Sequence, residues 1–179
     1  TAITEEELSA HKPNQYFAAI IDNVEIPKHP ILKSIEETTA DLLSLKLEEA
    51  SAGIFRDKAT GVVKNTRKYG EIVALSCKRK DGEVYQPSFR DLRALQKVII
   101  DRHPSVTRVL YLVSGRLEKQ PYVIALRAIK TKDFLTAQVA DIPWSTLKET
   151  AERILKECPS VSKVYYDATP KPPATIEME

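Results

Sequence analysis

The densest chemistry in the sequence lies at its end, Lys171-Pro172-Pro173-Ala174-Thr175-Ile176-Glu177-Met178-Glu179. An ammonium group meets a phosphate as a compact point charge, and the carboxylates of Glu177 and of the terminal Glu179 accept hydrogen bonds from hydroxyl groups. A cation followed by carboxylates suits a nucleoside monophosphate. Pro170, Pro172 and Pro173 fix φ over a short stretch, so the tail is expected to leave the preceding strand in one stiff direction, with Lys171 held as a fixed cation. A polar terminus with incidental charges is the alternative.

Elsewhere the residues of catalysis are sparse. His11, His29 and His103 are scattered, which argues against a metal site or a Cys-His nucleophile. The five glycines form neither a GxGxxG nor a GxxxxGK[ST] loop, so nucleotide hydrolysis within this chain is not expected. Cys77 and Cys158 have no CxxC spacing, the pattern of a reduced, cytoplasmic protein. With 27 basic against 25 acidic side chains the net charge is +2, too small a field to imply general polyanion binding. No stretch approaches the roughly 20 apolar residues of a membrane span, and the acidic start, Thr1 to Leu8, is unlike a secretory signal. The opening on Thr1, without an initiator Met, is expected of a trimmed or fragmentary chain.

The elements that must position the tail are announced by an internal repeat. Pro104-Ser105-Val106-Thr107-Arg108-Val109-Leu110-Tyr111 recurs 55 positions later as Pro159-Ser160-Val161-Ser162-Lys163-Val164-Tyr165-Tyr166, and Ile72-Val73-Ala74-Leu75 recurs 51 positions later as Val123-Ile124-Ala125-Leu126. Each copy reads as strand, helix, strand. The first runs through Gly70–Lys78, a helix opened by Ser88 and Asp91 with Leu92, Leu95 and Ile99 on one face, and Val106–Val113. His103-Pro104 ends that helix. The second runs through Tyr122–Lys130, a helix from Pro143 with Leu147, Ile154 and Leu155 inward, and Val161–Asp167. Before them stand a strand, Tyr16–Asp22, and a helix, Pro30–Ala50, with Gly53 just beyond; neither has a counterpart in the repeats. The expected fold is α+β, a two-layer sandwich of two divergent strand-helix-strand repeats with an extra N-terminal strand and helix. The organisation is 1–60 as linking segment, 61–114 as first repeat and 115–179 as second repeat with its tail. Val109, Tyr111, Val164 and Tyr166 are expected in sheet packing or a subunit contact.

The terminal stretch resembles the closing signature of GMP synthases, in which an aromatic residue usually stands where Met178 does. Val164-Tyr165-Tyr166-Asp167, Ile124-Ala125-Leu126-Arg127 and Asp133-Phe134-Leu135-Thr136-Ala137 are similar to the same family in matching order, as is Lys12-Pro13-Asn14-Gln15-Tyr16-Phe17-Ala18 at the entry. Ala59–Gly70 resembles the segment that carries Gly-Asp-x-Arg before a tyrosine. Arg67 fits it, while Lys64 and Asn65 replace the glycine and aspartate. The resemblance covers most of 11–29 and 53–179.

It implies the C-terminal part of a glutamine-hydrolysing enzyme that aminates xanthosine monophosphate (XMP) to GMP, a ligase. There, a glutamine amidotransferase and an ATP pyrophosphatase, as domains or subunits, do the chemistry with ATP and Mg; this chain would hold no cofactor and be inactive alone. Its roles would be to form a homodimer and to complete the XMP site. Lys171 and Arg67 would face the phosphate, Glu177 the ribose, and Thr175 and Ile176 would give backbone contacts, with Glu179 as a further acceptor. The rivals are a nucleic-acid-binding α+β module, suggested by Lys64–Lys68 and Lys78-Arg79-Lys80, and a paralogue that kept the fold and lost the substrate. Against the first, there is no GxxG loop and no pair of base-stacking strand aromatics.

Overall fold

Ser88 opens helix α3 (Phe89–Arg102) by accepting the Asp91 N–H at 3.1 Å, which satisfies one of the donors a helix N-terminus leaves over. Leu92, Leu95 and Ile99 are buried along its inner face. The helix stops at His103, whose N–H still reaches the Ile99 carbonyl at 2.9 Å, because Pro104 follows. Helix α4 (Trp144–Glu157) repeats the plan: it starts after Pro143, buries Leu147, Ala151 and Ile154, and ends at Cys158 before Pro159. The computed structural model describes residues 2–8, 15–131, 135–175 and 178. Its remaining elements are α1 (Ala2–Leu8), β1 (Gln15–Asp22), α2 (Leu32–Leu43), β2 (Ala50–Val63), β3 (Thr66–Cys77), β4 (Val106–Gly115), β5 (Tyr122–Lys130), β6 (Gln138–Val139) and β7 (Val161–Asp167).

Two expectations are corrected. Helix α2 ends well before Ala50, because Ser44 takes the left-handed conformation (φ 55°, ψ 43°) and its N–H closes onto the Ala40 and Asp41 carbonyls. Glycine usually supplies that geometry; a serine gives no sequence signal for it. Gly53 therefore does not end a helix but lies inside β2, a strand the sequence pattern does not announce.

The sheet order is β1-β5-β7-β4-β3-β2, with β6 on β5. In each repeat the two strands are parallel, as a helical crossover requires. The registers are the same in both: Val73 pairs with Val109 as Ile124 pairs with Val164, and a slip after Glu71 is matched by a slip after Tyr122. The repeats join through antiparallel β4 and β7, where Tyr111 faces Tyr166, the same position in the two copies. A local twofold axis passes between them. It also relates Phe89 to Trp144, which stack at 5.7 Å across the axis, each edge-on to the other repeat's tyrosine at 5.8 and 5.7 Å. Val109, Tyr111, Val164 and Tyr166 are all buried within this one chain, which is the sheet-packing half of what was expected of them.

The axis extends to the flanking strands. Ala19 of β1 pairs with Ala125 of β5, and Gly53 of β2 pairs with Ala74 of β3. Strand β1 thus has a counterpart after all, in β2, and residue 60 lies inside that strand. The helices cover one face of the sheet. The other face curls inward until its edges meet: Arg56 N–H donates to the Val24 carbonyl and Ile26 N–H to the Ile54 carbonyl, each at 2.8 Å. All six long strands contribute to the core inside the curl, including Ile21, Phe55, Ile72, Leu110, Val123 and Tyr165. Among the described residues no helix is long and apolar enough to cross a membrane.

Candidate functional site

Three charged side chains lie on the inner, curled face at the point where the chain leaves β7. Arg108 and Asp167 are 0% exposed and Arg127 is 2% exposed. They meet because β7 runs between β5 and β4: Arg127 Nη1 is 3.0 Å and Arg108 Nε 3.4 Å from Asp167 Oδ2. Burial of a charge is costly unless it is paired and hydrogen-bonded. Burial accordingly pulls the Arg108 guanidinium down to about 10, and the Asp167 carboxylate opposes that pull.

These groups grip the tail. Asp167 Oδ1 accepts the Thr169 N–H at 2.9 Å, Arg127 donates to the carbonyls of Thr169 (2.5 Å) and Thr175 (2.9 Å), and Arg108 donates to the Thr175 hydroxyl (2.8 Å). That hydroxyl donates onward to the Thr60 carbonyl at 3.2 Å. Charge-assisted bonds of this kind contribute about 1.5–3 kcal/mol each. The backbone adds further pairings: Lys171 with Ala137 in both directions (2.9 and 3.0 Å), Val62 N–H to Pro173 O (2.7 Å) and Thr60 N–H to Met178 O (3.2 Å). Prolines alone do not set the direction of the tail; it turns at Pro170–Ala174, where the Ala174 N–H returns to the Pro170 carbonyl at 3.0 Å. Gly61 makes the approach possible, since a Cβ there would lie 2.6 Å from Thr107 Cγ2 and 2.9 Å from Pro173 O.

Of the residues predicted from sequence, Lys171 and Thr175 sit on this docked tail. Arg67 stands exposed near the tip of the β2–β3 hairpin, paired with Val62, whose other edge receives Pro173. Arg67 and the tail are therefore about two strand spacings apart, roughly 10 Å between backbones. The hairpin turns on Lys64 and Asn65 at φ 49° and 63°, the left-handed pair of a type I′ turn, which accounts for a glycine being usual at such a turn. Ile176, Glu177 and Glu179 lie outside the described residues, as do 9–14 and 132–134. The sequence pattern alone suggests no role for Arg108, Arg127 or Asp167. The available signal was their alternation with Leu110, Ala125 and Tyr165, which puts charge on the inward side of apolar strands.

Residues 113–178, which include Arg127, Asp167 and the described tail, match the GMP synthase C terminal domain. They form a GMP synthase C-terminal domain. Over all 179 residues the chain is 30% identical to a glutamine-hydrolyzing GMP synthase subunit of Sulfurisphaera tokodaii, covering 42% of that protein. Over 67 residues, 37% of the chain, it is 54% identical to the glutamine-hydrolyzing GMP synthase of Coxiella burnetii and covers 13% of it. It is 46% identical over 67 residues to a glutamine-hydrolyzing GMP synthase subunit of Methanosarcina barkeri, covering 22% of it. The chain thus spans less than half the length of these relatives. The second repeat carries the family match, and its tail is the part clamped by Arg127 and Asp167.

Proposed function

We propose that this chain is the C-terminal portion of a glutamine-hydrolysing GMP synthase, completing the XMP site for the ATP-dependent amination of XMP to GMP. The observation that supports this most is the clamp on the tail by two buried arginines, with Lys171 two residues before Pro173, which meets the hairpin that carries Arg67. Held so, two cations can receive a phosphate without paying to order a loose terminus. They orient the nucleotide and make no bond themselves. Glu177 would meet the ribose, Thr175 and Ile176 would give backbone contacts, and Glu179 a further acceptor. ATP, Mg and the ammonia source belong to the ATP pyrophosphatase and glutamine amidotransferase partners, whether domains or subunits.

In the complete enzyme, Lys171→Ala is expected to raise KM for XMP about 10- to 100-fold, the loss of one charged contact of about 1.5–3 kcal/mol, with kcat less affected. The backbone bonds between Lys171 and Ala137 are kept in the variant, so it is expected to fold. An unchanged KM would remove Lys171 from the site.

The second part of the reading is subunit pairing. Tyr111 and Tyr166 are used up between the repeats, so two chains would have to meet elsewhere. Ile20 and Tyr69, 71% and 70% exposed near the seam of the curled sheet, are large apolar side chains still available. Sedimentation equilibrium should give twice the 20.1 kDa of the chain; a monomer at tens of micromolar would refute this part alone.

A further inference from the structure

The local twofold axis makes a prediction about a second place in the molecule. Shifting by 55 carries Ser162 and Lys163 onto Thr107 and Arg108, and Arg116, Leu117 and Lys119 onto Lys171, Pro172 and Ala174. The strand registers carry Asp22 onto Lys58, because these residues pair with Tyr122 and Glu71, the first paired residues of equivalent strands. The stretch Asn23–Lys28 therefore corresponds to Ala59–Lys64, the stretch that receives the tail. Backbone geometry agrees, since Lys28 and Lys64 are both left-handed, at φ 54° and 49°.

Beside β2 and β4 this set of positions receives the protein's own tail. Beside β1 and β7 the equivalent run, Arg116–Lys119, does not continue across, because after Lys119 the chain turns at Pro121 into β5. What remains is a cavity of about 590 Å³ whose lining includes the equivalent residues Asn23–Lys28, Ser162, Lys163, Arg116, Leu117 and Lys119. Pockets that hold small ligands run to about 300–1,000 Å³.

Its charge is one-sided. Lys28, Arg116, Lys119 and Lys163 line it against the single carboxylate of Glu25. Arg116 is committed to closing the end of α4, donating to the carbonyls of Val161 (2.7 Å), Cys158 (3.3 Å) and Leu155. Among the described residues Lys28, Lys119 and Lys163 make no ion pair. Three compact ammonium groups around a concave polar site attract phosphate as point charges.

We propose that this cavity is a second binding site, for a phosphorylated small molecule of up to nucleoside monophosphate size, with Lys28, Lys119 and Lys163 as the phosphate ligands. The assignment rests on the volume, the charge and the symmetry, not on the XMP reading, so either can fail alone.

The test is a titration of the 179-residue chain followed by amide NMR, using inorganic phosphate, ribose 5-phosphate, GMP and guanosine. Saturable shifts at Glu25, Gly53, Ser162 and Lys163 with the phosphorylated probes, and none with guanosine, are expected. Tighter binding of GMP than of the other two would identify a nucleotide, and equal binding of all three a phosphate alone. The Lys119→Gln/Lys163→Gln variant should bind at least about 10-fold more weakly, the loss of charged contacts, while keeping the dispersed spectrum of the folded chain. If that variant unfolds, Lys119→Gln alone, at an exposed position, serves in its place. The proposal is overturned by the absence of saturable shifts at millimolar probe, by undiminished binding in the folded variant, or by shifts confined to Ala137 and Lys171–Thr175. A peptide of residues 171–179 that binds the cavity while the phosphates do not would overturn it too, by making the site a receptor for a tail.

Discussion

Replacing Asp167 by asparagine is expected to destabilise the chain by about 3–5 kcal/mol, the cost of breaking a buried ion pair by removing one of its partners. For a domain of this size that lowers the melting temperature by on the order of 10 °C. The change is nearly isosteric, so packing around β7 is preserved and the loss reports charge. With the carboxylate gone, the force that opposes desolvation of Arg108 disappears, and Arg127 loses its contact at 3.0 Å. The side-chain acceptor for the Thr169 N–H is weakened at the same time, at the first turn of the tail. Stability loss and tail release should therefore appear together, as a lower denaturant midpoint and as faster trimming of the terminus by carboxypeptidase. Because the groups are buried, about 1 M salt should leave the difference between wild type and variant nearly intact. A variant with wild-type stability and a protected terminus would mean that the arginines hold the tail without their counter-ion.

That cluster marks where legibility in the sequence stops. The repeat, both crossover helices and their ends were legible because each rests on local chemistry: a serine cap, apolar residues at helical spacing, a proline stop. The tail was legible as a candidate site for the same reason, since its charges and prolines are consecutive. Strand β2 was not, because Arg56-Asp57-Lys58 falls at an irregularity between Ile54 and Lys58 and interrupts the alternation that identifies a strand. Nor was the end of α2, which turns on a left-handed serine. The grip on the tail was out of reach for a third reason. Arg108, Arg127 and Asp167 lie on three strands brought together only by the order β5-β7-β4, so their proximity is a property of non-local pairing. A charge in a strand reads as solvent-facing until its neighbours on the same face are known.

The local twofold axis is the other non-local feature, and Tyr166 tests it most severely. Its ring is 0% exposed, edge-on to Phe89 at 5.8 Å, and its hydroxyl donates to the carbonyls of Ala140 at 2.7 Å and Ala128 at 3.2 Å. Burial pushes that hydroxyl far up, so it remains a donor at any pH at which the protein is handled. Tyr166→Phe keeps the ring and leaves the Ala140 carbonyl without this donor, at a cost of about 1–2 kcal/mol. Tyr166→Asp removes the ring and puts a carboxylate where β4 and β7 face each other through Tyr111 and Tyr166. A buried carboxylate lacking a cation must be protonated or draw in water, and the aromatic contact is lost besides. The expected loss is at least about 5 kcal/mol, against a total of about 5–15 for a natural domain. Far-UV circular dichroism and urea titration should show no cooperative transition for Tyr166→Asp and a slightly earlier one for Tyr166→Phe. Failure of both repeats together is the informative outcome, since halves that fold separately would leave one transition standing. A Tyr166→Asp chain that unfolds at the wild-type urea concentration would mean that the two repeats do not depend on this seam.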